Sequence, residues 1–140
     1  MQYVCDAPNG RTWFRFETEA EAETESALMG HAVAKHFRRA MDAAAGSYKP
    51  TSSRFIEQDI GRKAHLQRTM PMFLTLRDRD GNGLVTAMLP PGGKSDSGFR
   101  CIVVGTNNAD PYPEHDDAIE ALGTHFGLSL ERDRCYPYGR

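Results

Sequence analysis

Residues 18–46 are the longest stretch of this chain with a single period, and they require a surface for a long amphipathic helix to lie on. At about 100° per residue, Ala22, Ser26, Met29, Val33, Phe37, Ala40 and Ala44 fall on one stripe, while Lys35, Arg38 and Asp42 fall opposite. Thr18 and Glu21 have the spacing of a capping box, and Gly46 supplies a C-terminal stop. Charge follows the same direction. Glu17, Glu19, Glu21, Glu23 and Glu25 crowd the start, and Lys35, His36, Arg38 and Arg39 gather toward the close, complementing the helix dipole. The pattern predicts one continuous helix over 18–46, with Met29, Val33 and Phe37 turned to a sheet.

Strands for that sheet are legible on both sides. Residues 2–7 and 11–17 flank Pro8-Asn9-Gly10, a hairpin signal, and the second run carries Trp13, Phe14 and Phe16. Residues 72–76 and 84–89 form a second apolar pair around an Asp/Asn/Gly-rich turn, and 99–105 reads as a buried strand. A second helix is expected over 114–126, closed by Gly127, followed by a short strand within 128–133 and an irregular tail over 134–140. Residues 47–53 are a polar connector. In 54–68, Ile56 and Ile60 have helical spacing but Gly61 interrupts, so this segment is expected to be irregular or partly helical. Two hairpins with interspersed helices define one α+β domain over 1–140: a two-layer sandwich of mainly antiparallel sheet with its helices on one face.

A chain of 140 residues buries a core without cross-links. Cys5, Cys101 and Cys135 are odd in number and widely spaced, which suits reduced thiols rather than a disulfide framework. The first ten residues lack the pattern of a signal peptide, and no apolar run is long enough to span a bilayer. The expectation is a cytoplasmic protein with no membrane association.

Several motifs come close to a function and fall short. Asp78, Asp80, Asn82 and Gly83 match the first half of a calcium loop, but Leu89 stands where the bidentate Glu belongs, so a hairpin turn is the expected role. Gly92-Gly93-Lys94-Ser95 resembles the end of a phosphate loop, yet Met88 replaces its first glycine and a strand follows. His31 and His36 stand about 140° apart on a helix and cannot clamp one metal. No metal site or cofactor is expected, and no catalytic residue is assigned.

Two candidates remain. Residues 35–68 carry 8 basic and 3 acidic side chains, net +5, although the whole chain is −2. Lys35, Arg38, Arg39, Arg62, Lys63 and Arg68 would form an anion-binding cluster if the connector folds back along the helix. Cys135, between Arg132 and Arg134, is the candidate reactive thiol. The leading functional expectation is a non-catalytic binding module, regulatory or accessory, that self-associates through exposed sheet edges. A polyanion or nucleic-acid binder using 35–68 is one alternative, not favoured by the net negative charge. The other is an enzyme using His36, His65 or Cys135 between the first helix and the 90–98 loop.

Overall fold

The computed structural model describes residues 1–96 and 98–139. In chain order the elements are β1 (Gln2–Ala7), β2 (Arg11–Phe16), α1 (Glu19–Met29), α2 (Val33–Gly46), α3 (Phe55–Thr69), β3 (Met72–Arg77), β4 (Gly83–Leu89), β5 (Ile102–Gly105) and α4 (Tyr112–Phe126). The five strands form one antiparallel sheet in sequence order, β1-β2-β3-β4-β5. The fold is α+β.

Both hairpins close where the sequence places them. Asn9 takes a left-handed conformation (φ 64°) between β1 and β2. Between β3 and β4 the Asp78 carboxylate accepts from the backbone N–H groups of Asp80 and Asn82 and from Asn82 Nδ2. Those bonds spend the carboxylate on the turn, as expected for an Asx-type device.

The continuous helix expected over 18–46 is broken. Gly30 adopts φ 67° and caps α1, its N–H and that of His31 both donating to the Ser26 carbonyl. The Ser26 hydroxyl accepts from Ala34 N–H at 2.8 Å and so satisfies the start of α2. A left-handed residue costs any L side chain about 1–2 kcal/mol, which glycine avoids. The chain thus turns a corner inside a stretch whose hydrophobic period never lapses. The capping box at Thr18 and Glu21 is present as expected.

Residues 54–68, expected to be irregular or partly helical, are helical nearly throughout, as α3. Gly61 does not interrupt it; the glycine leaves room for the Tyr48 hydroxyl, which a Cβ there would strike. The short strand expected within 128–133 is absent, and a 3-10 turn at Arg132–Arg134 stands at its end. The tail is docked rather than loose through residue 139. Tyr136 bridges Ile102 in parallel, donating its N–H to the Cys101 carbonyl at 2.8 Å.

Neighbouring strand residues belong to different cores, which decides the layering. Leu74, Leu76, Val85, Ala87 and Val103 pack with Trp13 against Ala118, Ile119 and Leu122 of α4. Phe16 and Phe73 pack against Ala22 of α1 and Val33, Ala34 and Phe37 of α2. Alternate side chains point to opposite faces of a sheet, so helices cover both faces, and the expected confinement of helices to one face does not hold. Apolar residues on both sides of β3 (MFLTL) were the sign of this. Three phenylalanines centre the α1–α2 face: the Phe37 and Phe73 rings lie 5.0 Å apart, edge to face, with Phe16 5.7 Å from Phe73. Opposite them, Trp13 Nε1 donates to the Ala118 carbonyl at 2.8 Å, tying β2 to α4. Among the described residues, no helix is long and apolar enough to cross a membrane.

Candidate functional site

Between α1 and the sheet lies a polar island in an otherwise apolar interface. Glu25 is fully buried. Its Oε1 accepts from Arg77 Nη2 at 2.9 Å, and its Oε2 accepts from the Thr86 hydroxyl at 2.6 Å. Arg77 also donates from Nε to Thr75 Oγ1, and Thr75 stands directly across from Thr86 in the β3–β4 register. A buried carboxylate is tolerated only with such compensation.

The island ends at the corner between α1 and α2. His31 Nε2 lies 2.8 Å from Thr86 Oγ1. A hydroxyl has one proton, and Thr86 gives it to Glu25, so it accepts from His31 Nε2–H. That fixes the neutral tautomer and leaves Nδ1 as a bare acceptor. Nδ1 is buried and has no hydrogen-bond partner among the described residues. Burial pushes the imidazole pKa down, which favours this neutral form.

His31 also lines a cavity of about 510 Å³. The cavity lies on the α1–α2 side of the sheet, over β4 and the edge strand β5, where neither helix reaches across. Phe73, Met88, Ile102 and Val104 form its apolar floor. The corner residues His31, Ala32 and Val33, with His36 one turn on, form one wall. Arg100, Asn108 and Tyr136 complete the rim, and the Arg100 guanidinium stands 6.0 Å from the centroid of the Tyr136 ring. The volume falls within the range over which small-molecule sites occur, and the lining is mainly apolar. The break at Gly30 builds this wall, because a straight helix would carry His31 along the sheet instead of over it.

A second charged cluster, on the α4 side, is architectural. Arg11 is buried and donates to the Pro8 carbonyl, to Asp117 Oδ1 at 2.8 Å and to His115 Nδ1 at 3.0 Å. Guanidinium can only donate, so His115 Nδ1 accepts. Burial and the adjacent Arg11 charge lower the His115 pKa, and the Arg11 hydrogen bond lowers that of Asp117. These contacts join β2 to α4 and use up the polar atoms involved.

The basic residues expected to converge are spread over two helices. Arg38 faces Glu19 and Glu23 of α1, at 3.6 and 3.3 Å, and Lys63 pairs with Asp59 one turn earlier. The surface of α2 turned to α3 carries Phe37 and Met41. Helical spacing sends Lys35 and Arg39 to the far side of α2 from that surface; on α3, Arg62 falls only about 40° from Leu66, whereas Arg68 falls about 160° away from it. The exposed, arginine-activated thiol expected at Cys135 is instead fully buried on the α4 side, where desolvation raises its pKa. Its neighbour Cys101 is pushed up to about 11 by the same cause. Of the histidines weighed for an enzyme site, His36 reaches the cavity, whereas His65 bonds the Ser47 hydroxyl at 2.7 Å beside Tyr48. Among the described residues, none of the 90–98 loop lines the cavity.

Glu25, Thr86 and the special position of His31 were missed at the sequence level, yet one signal was present. Glu25 falls between Ala22 and Met29 on the buried stripe, where an acid has no reason to be unless it is paired; its membership of an acidic run concealed this. Comparison with protein-family models, curated proteins and solved structures finds no match for this chain.

Proposed function

We propose that this protein acts by binding, as a regulatory or accessory module, and that the cavity over β4 and β5 receives a small organic molecule with an apolar body. The observation that carries this reading is the pairing of an apolar floor with a fixed polar corner: Phe73, Met88, Ile102 and Val104 beside His31. The experiment is thermal unfolding with a panel of alkylbenzenes, alkylphenols and medium-chain acids. A molecule that binds only the native state raises the unfolding midpoint. At least one class should do so in the wild type and lose the effect in Val104→Phe, which fills the floor. No shift with any class, or an equal shift in the variant, would remove the reading.

Association between copies of the chain is a second reading, favoured by Phe55, Ile56 and Ile60 on the first turns of α3. They are 83%, 72% and 62% exposed, far more than large apolar side chains within one helix usually are. Sedimentation velocity should show a dimer at high concentration that reverts to monomer when all three are replaced by Ser. A wild-type monomer throughout would exclude it.

A further inference from the structure

The polar groups around the cavity over β4 and β5 are of two kinds, and only one kind is open to an occupant. At the buried end, the Thr86 hydroxyl donates to Glu25 and accepts from His31 Nε2, so these groups are spent on one another. The floor beside them, Phe73, Met88, Ile102 and Val104, is apolar. The polar groups left to meet a ligand stand at the exposed rim: Arg100, Asn108 and Tyr136, with His36 on the α2 wall.

Arg100 sets the sign of that rim. Among the described residues lining the cavity it alone carries a permanent charge, and none is Asp or Glu. Asp96 and Asp133 line a neighbouring groove that shares Arg100 but not the apolar floor. The docked tail holds the guanidinium in place. It stands 6.0 Å from the Tyr136 ring centroid, and Gly139 lies so close that a Cβ there would strike Arg100 Nη2. Guanidinium only donates, and an imidazole keeps at least one N–H in every state. The rim therefore presents donors and one positive charge beside an apolar floor.

We infer that the occupant of this cavity is an amphipathic carboxylate, with an alkyl or arylalkyl chain on the floor and its head against the Arg100 guanidinium. The inference rests on the reading of the cavity as a binding site. One planar fork matches one carboxylate through paired N–H···O bonds. A neutral head gives the guanidinium no charge to meet, and an ammonium head is repelled by it. Because Arg100 is exposed, the ion pair selects and orients the occupant, while apolar contact with the floor supplies most of the affinity.

The test is titration calorimetry of the full-length protein with three probes that share a chain and differ in the head: octanoate, octanamide and octylammonium. At low salt, octanoate should bind roughly fivefold more tightly than octanamide, the upper end for an ion pair open to solvent, and octylammonium should bind weakest. The ratio of octanoate to octanamide affinity should shrink toward one at about 0.5 M salt, where exposed charges are screened. In Arg100→Gln, octanoate should fall to the affinity of octanamide, whose own binding stays as in the wild type. Arg100→Lys, which keeps the charge but not the fork, should retain part of the preference. Equal binding of octanoate and octanamide in the wild type, or a preference that survives in Arg100→Gln, would overturn the carboxylate inference while leaving the cavity as a binding site. Failure of all three probes to bind would overturn the cavity reading and the inference together.

Discussion

Arg77 and Glu25, 52 residues apart in sequence, meet at 2.9 Å with the Glu25 side chain buried beneath α1. The pair fastens α1 to the end of β3, and through Thr86 it also fixes the orientation of His31. Removing one member of a buried pair leaves the other uncompensated. We predict that Glu25→Ala loses about 3 kcal/mol in urea denaturation, at the lower end for such pairs because Arg77 keeps some contact with solvent. Glu25→Leu combined with Arg77→Met should recover most of the loss. A single variant within about 1 kcal/mol of wild type would show that the pair is idle.

The corner at Gly30 sets the place of His31. An added Cβ there would strike the Asn107 side chain while holding a positive φ. Gly30→Ala should cost about 1–2 kcal/mol from the backbone alone, and more if Asn107 cannot yield. Asn107→Ala should relieve only the steric part, a difference resolved by comparing the two variants with their double mutant.

Trp13 is the one tryptophan of the chain and is fully buried against α4. Its fluorescence should be blue-shifted in the native protein and move to the red on unfolding. Trp13→Phe removes the second hydrogen bond to the Ala118 carbonyl, which lies within α4, and opens a small void, so a loss of about 1–2 kcal/mol is expected. An unchanged denaturation midpoint would mean the indole hydrogen bond contributes nothing.

Acid should weaken the fold before the carboxylates titrate. His31 and His115 both have pKa values lowered from the ordinary 6.5, chiefly by burial. The unfolded chain therefore takes up protons first. Stability is complete above about 6.5, falls as pH drops through that value, and levels off once the folded-state values are passed. Urea midpoints measured from about pH 7.5 down to 5 should show this decline, with a shallower slope in His115→Gln. The lowered pKa values of Asp78 and Asp117 add a further loss only below the normal aspartate range. A flat profile above pH 5 would contradict the assignment of both imidazoles as neutral.

The strands were readable because their signals are local. Asn9-Gly10 and the Asp78–Gly83 turn dictate hairpins on their own, and α4 follows from its apolar face and Gly127. The break at Gly30 was hidden because the hydrophobic stripe continues in phase across it, from Met29 to Val33. Periodicity reports which residues face inward, not whether the axis bends between them. The second covered face was hidden for a related reason: Thr75, Arg77 and Thr86 lend polarity to strands that are nevertheless buried on both sides. The cavity was beyond reach altogether, since it joins His31, Thr86, Arg100 and Tyr136 only through the sheet order and the docked tail.

Methyl chemical-shift mapping during titration with octanoate tests the binding site most directly. The account predicts movement at Val33, Met88, Ile102 and Val104, which border the cavity, and none at Leu74, Val85 or Leu122, which pack on the opposite face with α4. Shifts confined to the α4 face, or no saturable shift at all, would contradict it.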